Sequence, residues 1–572
     1  MSDSMQEDER RLRAAPDPLN RKELKELSRR VRHRWGLRMP MRDGTLLAAD
    51  LHLPPAEAGD GPYPVVIERT PYNKQRDFVL ATAIRLSAAG YATVCQDVRG
   101  RHDSDGVWTP FFNEGTDGFD TLAWITQQEW CNGRIGSIGA SYDGWVQWAA
   151  AVHHPPGLAA MITTASIGQW LREAPYRNGM LTLPTLTYLH RMSGRVEQDY
   201  THIDLDAVYR HLPVRSMAEE IARDIPLWQE WVDHPALDDY WRSQTISPED
   251  VASVDVPVLH ITGWYDVHQT SSFSYYEAAT ETRNQYLLVG PWDHDGTILP
   301  KSEVGGIDFT EVSTVDFDGL YRRWFDHWLK GEDTGLEDQP RCRIFLTGAG
   351  RWRDLARWPP ETEDMVFYLR AGGELAMDPP GDEAADLFEY DPNDPVGGVS
   401  GDESDRESLE MSLDRSHVED RLDVLVYTGP VADTPLEIIG LPLVILYAGS
   451  DSPDTDWVVS LTDVHADGRS ILLSEGSLRA RFRESLETEM WMETDGIYEF
   501  RIDLTRIGHV LQPGHRLHLR VTSSDFPTYD RNLNTGEAVG NGTEARVARN
   551  LVHHDGAHPS RVVLPVTTQG RR

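Results

Sequence analysis

The chain has 572 residues, with 55 Lys and Arg against 92 Asp and Glu, for a formal net charge of -37. That length implies two to four domains and a core large enough to need no staples. That charge repels nucleic acid and anionic membrane surfaces, so neither is an expected partner.

Residues 1–30 are polar and read as an N-terminal arm with a marginal helix over Arg21–Arg30. They hold no apolar run fit for a signal peptide, and no later stretch suits a bilayer span, so the expected location is cytoplasmic. Met41 to Leu51 reads as a hairpin turning at Asp43-Gly44. Tyr63–Glu68 is a short apolar strand leading into Arg69-Thr70-Pro71-Tyr72. A helix over Phe78–Ala89 closes at Gly90, and a strand over Tyr91–Asp97 runs into a charged loop. Phe119–Gln128 reads as an amphipathic helix, Ile135–Gly139 as a strand and Trp145–Val152 as a helix. The next strand is Leu158–Thr164.

Strands that are continuous apolar runs, alternating with helices, predict a parallel sheet covered on both faces. The rhythm stops near Ser166. Residues 167–251 carry Leu, Tyr, Trp and charge at helical spacing, with no clear strand, and read as a helical cap. It resumes with Val256–Thr262, a helix over Ser271–Thr282, a strand over Gln285–Val289 and a helix over Asp318–Leu329. After about residue 345, short alternating runs are separated by Gly, Pro and Asp turns, which predicts an all-β jelly roll. Gly381–Arg415 is acidic and poor in apolar residues, and reads as a long surface loop. The fold class is therefore α/β: a doubly covered parallel-sheet domain over 31–166 and 252–344, a cap over 167–251 and a jelly roll over 345–572. Cys95, Cys131 and Cys342 are widely spaced, with no Cys-x-x-Cys pair, and read as buried thiols.

Gly139-Ala140-Ser141-Tyr142-Asp143-Gly144 lies between a strand and a helix. A serine flanked by glycines at such a turn is the pattern of a nucleophile elbow, which lifts the hydroxyl clear of the sheet. Acyl transfer also needs a base, and a carboxylate to orient it. Along the chain Ser141 is followed by Asp266 and then His294, each just past a predicted strand, in the order Ser, Asp, His of this fold. An ordinary turn aspartate and a structural histidine are the alternatives. Asp143 sits in the first turn of the helix, where a carboxylate suits the helix dipole.

These stretches resemble the CocE/NonD-type serine hydrolases of peptidase family S15, the family of cocaine esterase, α-amino-acid ester hydrolases and X-Pro dipeptidyl peptidases. The resemblance runs from about residue 35 to near the end. Its marks are Met41-Arg42-Asp43-Gly44, Pro71-Tyr72, Asp97-Val98-Arg99-Gly100-Arg101, the elbow, Gly263-Trp264-Tyr265-Asp266 and Gly290-Pro291-Trp292-x-His294. Trp352-Arg353, Trp358-Pro359, Tyr390-Asp391-Pro392 and Asp394-Pro395 follow. It implies an α/β-hydrolase domain, a cap and a jelly roll, with Ser141 as nucleophile, His294 as base and Asp266 as its orienter. It also implies an oxyanion hole made of the Tyr72 hydroxyl and the Tyr142 backbone N–H.

The resemblance implies a serine hydrolase of small carboxylic esters, with amides as a second option, that works without cofactor or metal. His268 stands where cocaine esterase has a phenylalanine, and Tyr176 where it has a tryptophan, so a polar-tipped pocket is expected. Trp170, Tyr176, Tyr188 and His268 are the pocket candidates, with core packing the alternative for each. One rival reading is an amino-acid ester hydrolase or X-Pro dipeptidyl aminopeptidase requiring a free α-amino group. The other is a catalytically silent binding protein using its jelly roll. The expected partner is a small-molecule substrate, with a homo-oligomer left open.

Overall fold

The computed structural model describes residues 19–279, 284–397 and 412–567. The chain divides into two compact units: Met1–Ile162 with Ile298–Pro300 and Val315–Leu336, and Thr163–Thr297 with Lys301–Thr314 and Glu337–Arg572.

The first unit opens with a helix over Arg21–Ser28, capped by the Asn20 side chain. Strands β1 (Arg32–Pro40) and β2 (Leu46–Leu53) form the expected antiparallel hairpin. Gly44, at φ 85°, takes a turn position that a side chain would strain. β3 (Tyr63–Thr70), β4 (Ala92–Asp97) and β5 (Cys131–Ala140) follow. The strand order is β1-β2-β4-β3-β5, with β3 parallel to both β4 and β5. Helices over Asp77–Ala88 and Glu114–Thr126 connect them. The second starts five residues before the predicted Phe119, because Glu114 is buried against Arg69 and does not behave as a loop carboxylate. The chain leaves this unit along β6 (Leu158–Thr164).

In the second unit β9 (Val258–Gly263), β10 (Gln285–Gly290), β13 (Cys342–Leu346) and β14 (Arg351–Leu355) make a mixed sheet in that order. β9, β10 and β13 are parallel, and β14 is antiparallel to β13. The expected boundary at 345 therefore cuts through a strand that pairs with β10. Its short apolar run carries no mark of which sheet it joins, and the C-terminal β region begins at Thr362. Two small hairpins, β7/β8 (Tyr176–Arg177, Met180–Leu181) and β11/β12 (Glu303–Val304, Ile307–Asp308), complete the numbering.

Residues 167–251 fold as short helices, the longest Pro184–Met192. The β7/β8 hairpin is a departure from the strand-free expectation; Gly179, at φ 89°, turns it. Proline begins the helices at 184, 226 and 248, and Ser247 caps the last. Their shared core is aromatic: Trp170 stacks on Trp241 at 6.3 Å between ring centres, and Trp231 lies 5.8 Å from Trp241.

The C-terminal strands from Thr362 to Thr567 form a separate β domain around Trp457, Phe388, Phe500 and the aliphatics beside them. Within the supposed loop 381–415, Asp386–Tyr390 is a strand paired with Ala548–His553. Its alternating side chains bury Phe388 and Tyr390, which outweighs the acidic composition of the segment. Residues 398–411 of that segment lie outside the described residues. Cys95 in β4, Cys131 at the start of β5 and Cys342 at the start of β13 are all buried free thiols. Burial holds each of them above the usual thiol range. Among the described residues no helix is long and apolar enough to cross a membrane.

Candidate active site

The first unit carries the elbow. β5 ends at Ala140, the helix over Tyr142–Ala151 begins one residue later, and Ser141 joins them at φ 62°, ψ -122°. A serine held there is strained, which is the mark of a turn built for its side chain. Glycine is required at 139, where a Cβ would lie 2.6 Å from the Asp143 Cβ and 2.8 Å from the Asp143 carbonyl oxygen. Gln147 fastens the turn. Its amide donates to the carbonyls of Gly139, Asp143 and Ile162, and its oxygen accepts from Ser137 Oγ at 2.6 Å.

Tyr142 follows Ser141 at the first helical position, where a backbone N–H has no acceptor within the helix. Its side chain is buried; the hydroxyl donates to Glu114 Oε1 at 2.8 Å and accepts from the Phe111 N–H. Arg69 holds the other Glu114 oxygen at 3.0 Å. Asp143 departs from the expected dipole-capping role. Burial and the neighbouring Glu68 carboxyl push its pKa well up, toward the neutral acid. Burial likewise raises Glu68 to about 8, against the pull of Arg76.

Tyr72, half-buried, lies just past β3, with its ring edge-on to that of Tyr142 at 6.4 Å. Its loop is anchored by the charged motif after β4. Asp97 accepts from the Lys74 N–H and from Lys74 Nζ, both at 2.8 Å, and Arg101 Nε donates to the Pro71 carbonyl at 2.9 Å. Gly100 admits the close approach of this motif to Trp108, whose backbone nitrogen would lie 2.1 Å from a Cβ.

The second unit carries the histidine and its carboxylate. Asp266 follows β9 and is buried. Its Oδ1 accepts from His294 Nδ1 at 2.9 Å and from the His268 N–H at 3.1 Å, and its Oδ2 accepts from Thr262 Oγ1 at 2.9 Å. Burial, the largest single influence, raises the carboxyl, but the bond and charge of His294 together with His268 outweigh it and hold the pKa below the ordinary value. For His294, burial lowers the pKa, and Asp266 with the nearby charges of Asp295 and Asp293 more than offsets it, with a net upward shift. With Nδ1 committed to Asp266, Nε2 is the nitrogen left for proton transfer.

Two glycines bring these loops together. A Cβ on Gly263 would sit 2.0 Å from the Trp292 carbonyl oxygen, and one on Gly290 would sit 2.2 Å from the Trp292 ring. The Trp264 N–H donates to the Gly290 carbonyl and the Tyr265 N–H to that of Trp292. Asp293 caps the turn after the histidine through the Gly296 N–H at 2.8 Å and pairs with Lys301.

Of the pocket candidates, His268 lies against the histidine, its ring edge-on to His294 at 5.1 Å. Trp170 and Tyr176 are buried in the aromatic core of the helical segment, where the Tyr176 hydroxyl is shared between the carbonyls of Trp231 and Val232. Tyr188 is half-buried on the helix Pro184–Met192. One neighbour escaped the sequence reading. Glu173 is buried 3.6 Å from His268 Nδ1 and accepts from the Ser271 N–H at 2.8 Å and from the Ser271 hydroxyl. In the sequence it is one acid among many in 167–251, with no local mark that sets it apart.

Residues 43–296 match the family model of X-Pro dipeptidyl-peptidase (S15 family). Residues 334–563 match the X-Pro dipeptidyl-peptidase C-terminal non-catalytic domain. The chain belongs to this S15 family of hydrolases. It is 35% identical to the cocaine esterase of Rhodococcus sp. (strain MB1 Bresler) over 92% of this chain and 97% of the relative. A crystal structure of an aminopeptidase from a marine sediment Thaumarchaeota archaeon superposes with a TM-score of 0.86 at 26% identity, covering 94% of this chain and 97% of that one. An α-amino acid ester hydrolase superposes with a TM-score of 0.85 at 27% identity and the same coverages.

Proposed function

We propose that this chain is a serine hydrolase that cleaves carboxylic esters of small acyl compounds, and amides of the same acids, through an acyl-enzyme. Ser141 Oγ attacks the carbonyl carbon while His294 Nε2 takes its proton, and Asp266 stays ionised to orient the imidazole and offset its charge. The Tyr72 hydroxyl and the Tyr142 N–H receive the oxyanion. Collapse of the tetrahedral intermediate breaks the bond to the leaving group, which departs with the proton from His294. Water, deprotonated by the same histidine, then releases the acid and restores Ser141. No step needs a cofactor.

The observation that carries this reading is the 2.9 Å bond between His294 and a fully buried Asp266 side chain, which fixes both the tautomer and the ring. Ser141→Ala is expected to lose at least about 10⁴-fold in ester turnover and all labelling by a fluorophosphonate. Undiminished turnover in that variant would refute it. The same reading takes 167–251 as a cap, the C-terminal β domain as a jelly roll, and the working form as a cytoplasmic enzyme able to self-associate.

Buried Glu173 beside His268 favours a second reading, in which the substrate carries a free α-amino group that this carboxylate attracts. Relatives whose names read aminopeptidase and α-amino acid ester hydrolase support it. Matched free-amine and N-acetylated esters separate the two: equal turnover supports the plain esterase, and a strong preference for the free amine supports the second.

A further inference from the structure

The C-terminal β domain gathers three histidines around one buried aspartate, none of them a residue given a catalytic role above. Asp463 lies near the end of the strand Asp456–Val464, and His465 begins the turn that follows it. His515 stands just before the strand Arg516–Thr522, which pairs with the first so that Val464 faces Arg516. His509 comes from the strand Ile507–Leu511. The cluster is therefore held by the ends of paired strands and two tight turns, not by a mobile loop. The His465 turn is closed by its N–H to the Arg469 carbonyl, and His515 by its N–H to that of Gln512.

The donor atoms converge. His515 Nδ1 lies 2.9 and 3.0 Å from the two Asp463 oxygens, and His465 Nε2 lies 3.6 Å from Oδ2. The ligand atoms of Asp463, His465 and His515 all fall within 4.8 Å of one another. Ligands on a tetrahedral ion with bonds of about 2.0–2.1 Å stand about 3.3–3.4 Å apart, so small side-chain shifts close this set. From the buried side, His509 Nε2 lies 3.3 Å from Asp463 Oδ2 and has no hydrogen-bond partner, while its Nδ1 meets Thr347 Oγ1 at 2.8 Å.

Hydrogen bonding alone accounts poorly for this arrangement. A single carboxylate is asked to serve three imidazoles, and the His509 Nε2 contact with it, at 3.3 Å, falls short of good hydrogen-bond geometry. A cation between the two part-exposed histidines and the aspartate uses their lone pairs. It leaves His509 to brace the carboxylate from behind, as outer-shell partners of metal ligands do. Two imidazoles and a carboxylate suit a transition metal better than Ca²⁺ or Mg²⁺, which take oxygen. A cationic neighbour, Arg469, places Nη2 at 3.3 Å from His465 Nδ1. That arginine also pairs with Asp467 at 2.8 Å and can keep this partner when the imidazole turns to a metal.

We propose that Asp463, His465 and His515 bind one divalent transition-metal ion of the Zn²⁺ type, with His509 as a positioning residue and water in the remaining coordination. The ion ties two strand ends of the C-terminal domain together and takes no part in ester cleavage. Nothing in the family relationship assigns it.

The test uses full-length protein stripped with a chelator. Titration with Co²⁺, followed by visible absorption, and with Zn²⁺, followed by calorimetry, is expected to show one equivalent bound. His465→Ala with His515→Ala removes it; His509→Ala weakens it about 10–100-fold. Wild-type protein that takes up no more Co²⁺ or Zn²⁺ than the double variant overturns the proposal. A measurement on the wild type alone guards against misfolding of the variants. Zn²⁺ should shield His465 and His515 from diethyl pyrocarbonate, and equal modification with and without the ion counts against the site.

Discussion

His294 reports its charge through rate. Burial alone would lower its pKa, and Asp266 with the nearby charges of Asp295 and Asp293 reverses that, so the folded pKa stands above the ordinary imidazole value. In the proposed mechanism turnover needs the neutral ring. Activity is therefore expected to fall as pH drops through that raised pKa, with its midpoint on the alkaline side of 6.5, in a kcat/KM profile. Asp266→Asn should lower kcat by about 10⁴-fold and move that limb to lower pH. Tyr72 is tested by removing one atom. Tyr72→Phe keeps the ring beside Tyr142 and takes away a proposed oxyanion donor, so kcat should fall about 10²–10³-fold with KM little changed. A matched rise in KM instead would make Tyr72 a binding residue. Sequence order found Asp266 and His294 because each stands one turn past an apolar run. It missed Glu173, whose significance comes from a contact with His268 across 95 positions that no local pattern encodes.

Among elements, the elbow is fastened by Gln147, since one amide serves β5, the following helix and β6. Gln147→Ala should cost about 1–3 kcal/mol, read as a lower urea midpoint at unchanged slope. Ser141 should then lose turnover beyond the loss of folded protein. The alternating α/β rhythm was readable where strands are buried on both faces: Leu158–Thr164 is predicted and observed with the same bounds, while the strand predicted from Ile135 begins at Cys131. Two kinds of element were not readable. Short strands such as Cys342–Leu346 have the right composition for either sheet, and only pairing decides. Polar starts such as Glu114 look like loop until the buried arginine that neutralises them is known.

Over the whole molecule, the charge of -37 makes proton uptake a stability variable. Glu68 has a folded pKa of about 8 against a reference of 4.5. The folded state therefore binds more protons than the unfolded chain between these values, and stability falls as pH rises through that window. Glu68→Gln should flatten the loss of melting temperature between about pH 5 and pH 9 relative to wild type. A parallel shift of the whole curve would show that Glu68 is not the titrating group. The overall division into an α/β part and a β part follows from periodicity, whereas the two compact units cut across it. They are set by long-range packing that alternation does not record.

The three thiols give a way to watch those units separately. Cys95 and Cys131 belong to the first and Cys342 to the second, all buried and all held as poor nucleophiles. A maleimide or aromatic disulfide reagent can reach them only when the surrounding strands open, so labelling in native buffer becomes a clock for local opening. Peptide mapping of which cysteine reacts first would rank the two units by ease of opening, without a single engineered probe. The chain thus carries its own reporters of where unfolding begins.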